Sequence, residues 1–186
     1  MQEASSFVRG FSLVELLTSL AVLAVVVALA TPAYARLAGR TQVATARSAL
    51  HSALSHARTA AAARNAHVVV CPSEDANRCD RTTHWQQGWI AFVDLDRDGG
   101  RSPDEPLLHV AQHQRAGVAI LASSGRLQAD FRPDGSAAGS NFTLTICSRA
   151  AGAGGATALV VNQAGRARRG TPDAAAAAAC LRAADG

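Results

Sequence analysis

Two short segments gather the residues that could do chemistry. The first is Asp94-Leu95-Asp96-Arg97-Asp98-Gly99, followed by Glu105. Counted from Asp94, carboxylates fall at positions 1, 3, 5 and 12 with glycine at 6, the spacing by which hard oxygen ligands converge on calcium around a sharp turn. The flanks read as strands rather than helices, and Arg97 and Arg101 dilute the negative field. An acidic turn whose aspartates cap backbone amides accounts for the same residues. Calcium at Asp94, Asp96, Asp98 and Glu105 is therefore one expectation and a self-capped turn the other. The second segment is Gly165-Arg166-Ala167-Arg168-Arg169-Gly170, whose three arginines in four residues predict a compact cationic loop. The guanidinium fork matches phosphate oxygens, so Arg166, Arg168 and Arg169 would grip a nucleic-acid backbone without reading its sequence. No aromatic stands beside them for base stacking, and a solvated loop or a contact to a neighbouring subunit is the alternative. Neither segment makes a catalytic set. His109 and His113 are four apart in strand-like surroundings, where that spacing does not converge on one metal, and the serines lack a histidine–acid partnership. The reading is of a chain that is no enzyme and has no cofactor beyond that calcium.

The elements that must hold these segments begin with an apolar run. Residues 11–30 read FSLVELLTSLAVLAVVVALA, twenty residues with one charge, Glu15. As a helix they rise about 30 Å, the thickness of a bilayer core. The preceding MQEASSFVRG is short and polar and ends in Arg9-Gly10. A secretory signal carries its small-residue cleavage site after the apolar run, whereas here glycine and the positive charge come before it. That arginine predicts a cytoplasmic N-terminus and an outward C-terminus. A lone carboxylate in hydrocarbon costs a few kcal/mol unless paired, protonated or near the interface. If the chain were cut after Gly10, Phe11 would bear a new α-amino group, and Glu15 of one subunit could pair with the amine of a neighbour.

Residues 33–65 continue as helix, with Pro32 expected to kink it, Gly39 to loosen it and Asn65 to stop it. Val43, Ala46, Leu50, Leu54, Ala57 and Ala61 form one apolar stripe, and Arg36, Arg40, Arg47, His51 and Arg58 occupy a neighbouring sector. Beyond them, strands are expected at 67–71, 89–94, 107–111, 117–121, 127–132, 142–147 and 157–162, separated by turn-forming clusters. Residues 152–155 read as a flexible hairpin and the polyalanine run 174–179 as a short helix or mobile tail. One long helix followed by many strands is an α+β pattern: a transmembrane and amphipathic helix packed on antiparallel β-sheets.

The apolar fraction is 48% but aromatics are only 4%, and all 18 basic residues are arginine, giving a formal charge of +4. The mild basic excess suits an anionic polymer or lipid surface without requiring either. Cys71, Cys79, Cys147 and Cys180 form no C-x-x-C pair, so zinc is not indicated. Four cysteines permit three pairings. Outside the cytoplasm the favoured ones are Cys71–Cys79, closing a short loop, and Cys147–Cys180, pinning the tail; buried free thiols are the alternative.

Gly10-Phe11-Ser12-Leu13-Val14-Glu15-Leu16-Leu17 resembles the prepilin cleavage and methylation motif. The resemblance implies that a prepilin peptidase cuts between Gly10 and Phe11 and methylates Phe11, and that Glu15 guides assembly. The rest resembles the GspH/FimT group of pseudopilins, through Arg47 and Arg58, Val69-Val70-Cys71, Trp85, Gly88-Trp89-Ile90-Ala91-Phe92-Val93-Asp94, Phe131-x-x-x-Gly135 and Gly165-Arg166. That group implies a long helix packed against β-sheets, with the tryptophans as core anchors. In its FimT branch a Gly-Arg-x-Arg segment is associated with DNA capture in natural transformation, and residues 165–168 match it. The implied organisation is a leader at 1–10, a helix at 11–65 spanning the membrane over 11–31, and a periplasmic β-rich domain at 66–186. The implied protein is a minor pilin of a type IV pilus that binds DNA, held in the bacterial inner membrane and then in the fibre. Its implied partners are other pilin subunits and prepilin peptidase. A type II secretion pseudopilin with a purely structural role is the alternative.

Overall fold

The structure, a computed structural model, describes residues 12–139 and 141–185. The Gly10–Phe11 junction lies outside them. The chain divides between Ala35 and Arg36 into two units. Helix α1 (Leu13–Arg64) begins in the first and ends in the second.

In the first unit, Ser12 caps α1: its Oγ accepts the Glu15 amide at 3.2 Å, and its carbonyl accepts the Leu16 amide. The apolar side chains of this unit are exposed, among them Leu13, Leu17, Val25 and Leu29. The helix is long and apolar enough to cross a membrane, and none of its most apolar stretch is buried. The serine and threonine hydroxyls of this unit beyond Ser12 turn back on the helix. Thr18 and Ser19 donate to the Glu15 carbonyl, and Thr31 donates to that of Val27. Hydrocarbon demands such internal satisfaction.

In the second unit, residues 36–64 of α1 bury one stripe, Val43, Ala46, Leu50, Leu54, Ala57 and Ala61 among them. The small residues of that stripe permit close approach. At Gly39 an added Cβ would meet the Ala151 amide nitrogen at 2.6 Å, so this glycine seats the helix rather than loosening it. Asn65, with φ 50°, ends α1 in the left-handed conformation that closes helices.

Two four-stranded antiparallel sheets follow. The first has the order β3-β2-β1-β5, with β1 (His67–Pro72), β2 (Trp89–Asp94), β3 (Leu107–Ala111) and β5 (Ala129–Phe131). The second has the order β4-β6-β7-β8, with β4 (Val118–Ala122), β6 (Phe142–Ser148), β7 (Thr157–Val161) and β8 (Ala167–Gly170). Alternate residues of both sheets join the α1 stripe in one core, including Val68, Trp89, Phe131, Ile120, Leu144 and Leu159. Trp85 is fully buried there, its ring tilted against Phe142 with centroids 5.5 Å apart. Both tryptophans are core anchors.

The opposite face of each sheet is covered by a segment held with a disulfide. Val69, Cys71, Ile90 and Phe92 lie under the loop closed by Cys71–Cys79, S–S 2.01 Å. Ala119 and Cys147 lie under α2 (Ala174–Asp185), held by Cys147–Cys180, S–S 2.12 Å. The polyalanine run is thus the start of an anchored helix, not a mobile tail. Asp173 caps it by accepting the Ala176 amide at 2.7 Å, and Arg149 closes its other end on Asp185 and the Ala184 carbonyl. The 152–155 segment contains a 3-10 turn, Ala153–Gly155, rather than a flexible hairpin.

Candidate functional site

Glu15 is the one charge in an apolar exposed segment, and among the described residues its carboxylate has no partner. Its amide already serves the Ser12 cap, so the position contributes to the helix start as well as carrying the charge.

The acidic turn spends its carboxylates on its own backbone. Asp94 accepts the Arg97 amide at 2.8 Å and the Gly99 amide at 3.2 Å. Asp96 accepts the Asp98 amide, and Asp98 accepts that of Gly100. Glu105, buried, spans the loop by accepting Leu95 at 2.7 Å and Ser102 at 2.9 Å. Oxygens of Asp94, Asp96 and Asp98 lie within 4.8 Å of one another and could hold a cation; Glu105 stands outside that group. Burial holds the Asp94 carboxyl above its ordinary value; the two amides pull the other way, and Glu105 and Asp96 add to the rise. Arg101 ties this turn to the first disulfide loop through the carbonyl and side chain of Asn77.

The arginine segment differs from its sequence reading. Residues 167–170 are a strand, not a loop, and β8 is an edge of the second sheet. The register pairs Leu159 with Arg169 and Val160 with Arg168. Since β-strand side chains alternate, Arg169 shares the α1 side of the sheet with Leu159, and Arg168 projects from the other side with Val160. Arg166 sits in the preceding turn, exposed, where its amide bonds the Asn162 side chain at 2.9 Å. The three arginines therefore do not converge. Arg169 instead meets α1. It lines a cleft of about 370 Å³ with Arg40, Arg47, Gly154 and Thr157, and an adjoining one of about 310 Å³ with Arg47, Ser48 and His51.

Arg58, another helix arginine of that sector, is engaged differently. Its Nε donates to the Gly135 carbonyl at 2.9 Å. Gly165, at φ 72°, packs on the same carbonyl and on Arg58, leaving no room for a side chain. In Gly165-Arg166-Ala167-Arg168, then, the glycine belongs to the turn packing.

A larger groove, about 600 Å³, lies on the outer face of the second sheet beside α2, lined by Leu121, Val160, Pro172 and Ala176 among others. No histidine or cysteine lines it, and its one carboxylate, Asp173, is the α2 cap. It holds no nucleophile–base pair.

Sequence reasoning missed the alliance of Arg40 and Arg47 with Arg169. A signal was present, since no Asp or Glu occurs from residue 16 to 73 or from 135 to 172. Each stretch supplies one wall of the clefts, so neither wall brings a counter-charge.

Residues 46–165 match the family described as type II transport protein GspH. Residues 6–31 match the prokaryotic N-terminal methylation motif. No curated protein matches the chain. Among solved structures, the type IV minor pilin FimU of Pseudomonas aeruginosa is similar in two crystal forms. One aligns at TM-score 0.54 and 21% identity over 73% of this chain and 92% of that one. The other aligns at 0.52 and 20% over 68% and 90%. The minor pseudopilin EpsH from the Type 2 Secretion System of Vibrio cholerae aligns at 0.49 and 13% over 70% and 98%. At these identities FimU shares the fold: a helix packed on antiparallel sheets. With the methylation motif at its N-terminus and most of its sheet-bearing part matched by one family, this chain belongs to the GspH family.

Proposed function

We propose that the chain is a minor pilin-like subunit, cleaved between Gly10 and Phe11 by prepilin peptidase, methylated on Phe11, and held in the inner membrane by residues 11–31 until it enters a fibre. The observation that carries this reading is the exposed apolar start of α1, which bears the methylation motif and a carboxylate, Glu15, that has no partner among the described residues. A buried core cannot explain an apolar surface of this length, whereas a bilayer followed by neighbouring helices in a fibre can. In that setting Glu15 finds its partner in the new α-amino group of an adjacent subunit. The β-rich part, 66–186, lies in the periplasm, where its two disulfides persist.

Glu15→Ala tests this. The variant is expected to insert in the membrane, since it removes a buried charge, yet to be depleted from sheared fibres. Equal recovery of variant and wild type in the fibre fraction would contradict the assembly role.

On the exposed arginines rests a further element of the proposal: sequence-independent binding of DNA by Arg166, Arg168 and Arg169, as in natural transformation. The family description, type II transport protein, favours a second reading, a secretion pseudopilin with a structural role alone.

A further inference from the structure

We propose that the groove between α1 and β8 is a track for the phosphodiester backbone of nucleic acid, with Arg40 and Arg47 of α1 acting beside Arg169 and Arg166. This deepens the DNA reading above and rests on it. Arg40, Arg47 and Arg169 line shared clefts, and no carboxylate lines either one. Among the described residues none of the three has a hydrogen-bond or ion-pair partner. Some arginines elsewhere do find partners, Arg58 on Gly135, Arg101 on Asn77 and Arg149 on Asp185, and others stand singly at the surface; what sets these three apart is that they share clefts. Unpaired like charges gathered in one cleft repel, and an anion from outside relieves that repulsion.

The order of the cations sets the shape of the ligand. Arg40 lies beside Gly154 and Gly155, while Arg47 and Arg169 share both clefts. Gly165, next to Arg166, packs on Arg58. Along α1 the row therefore runs from Arg40 to the level of Arg58, eighteen residues or about 27 Å of helix. A single lipid headgroup fills one point of such a row, whereas a polymer of phosphates follows its length. A protein partner would need an apolar anchor, and Val43 and Leu159 in these clefts are both buried. Gly154 has no neighbour within 4 Å of where a Cβ would stand, which leaves the groove open to a bulky chain at that end.

Arg182 of α2, the helix that covers the opposite face of the sheet, is exposed and is the internal control. The experiment uses the full chain in neutral detergent with a fluorescein-labelled 24-base-pair duplex, read by polarisation from 25 to 200 mM NaCl. Four phosphate contacts give the wild type a log–log salt slope of about −4. R40Q/R47Q is expected to bind about tenfold more weakly at 25 mM salt, with a slope near −2. R40K/R47K should recover part of the loss, as charge returns without the fork. R182Q should stay within about twofold of wild type. A melting temperature equal to wild type for R40Q/R47Q excludes misfolding. Wild-type binding by R40Q/R47Q with loss in R168Q would overturn the groove and leave DNA binding on the outer face. Failure of the wild type to bind at 25 mM would remove the DNA reading and this proposal together.

Discussion

The acidic turn and the arginine groove carry opposite charges and handle them in opposite ways. In the turn, Asp94, Asp96, Asp98 and Glu105 each accept backbone amides of their own loop. That charge is consumed in holding a connection between two strands. In the groove, Arg40, Arg47 and Arg169 come from elements far apart in sequence and meet in clefts that no carboxylate lines. The α1 start shows the same asymmetry in apolar form, with hydroxyls satisfied within the helix and leucines and valines left bare. Charge used internally is a folding device; charge or apolar surface left over is where function is sought.

That contrast orders the expected mutational effects. The largest belongs to Gly165→Ala, which puts a side chain against the Gly135 carbonyl at φ 72°. It should cost more than about 3 kcal/mol in urea unfolding. A silent G165A would mean the turn is not packed as described. It would also reopen a binding role for this glycine.

Asp94→Asn comes next, at about 2 kcal/mol, since Oδ1 and Oδ2 each accept an amide at a buried position and asparagine keeps only one acceptor. The pH dependence sharpens it. Burial raises the Asp94 carboxyl above its ordinary 3.8, so the folded state holds that proton more tightly than the unfolded chain. The stability this contributes is fully present below 3.8 and is lost as pH rises through the raised value. The margin of wild type over D94N should therefore shrink with rising pH across that window. A margin that widens with pH would show that the two amides outweigh burial.

Arg47→Gln and Arg169→Gln should each move stability by less than about 0.5 kcal/mol, because no internal bond is lost. A cost above about 1 kcal/mol in either would show an internal partner and break the contrast. Smallest of all is the calcium effect. With Glu105 committed to Leu95 and Ser102, 1 mM calcium is expected to shift the melting temperature by less than about 2 °C relative to chelator. A larger rise would assign Asp94, Asp96 and Asp98 to a cation and remove the self-capped reading.

Much of the fold was legible because its signals are local. The valine run of β1, the Trp-Ile-Ala-Phe-Val run of β2 and the three- and four-residue stripe of α1 each carry their own periodicity. β8 was not legible. Ala-Arg-Arg-Gly has no apolar alternation, and it becomes a strand only because β7 offers an unpaired edge. A charged edge of this kind also deters pairing with foreign strands. The same long-range pairing hid the site: which face each arginine takes is set by register, one residue at a time. Arg58 and Arg40 look alike in sequence, and only the Gly135 and Gly165 turns distinguish the clamp from the free cation. Gly39 likewise reads as a weak point in a helix until Ala151 is seen against it.

The most direct test of the account is the mass of the mature N-terminus. The chain should be extracted from membranes of cells with an active prepilin peptidase and its N-terminal peptide measured by mass spectrometry. The expected product is a peptide beginning at Phe11 and carrying one N-methyl group. An unprocessed chain beginning at Met1 in those cells would contradict it.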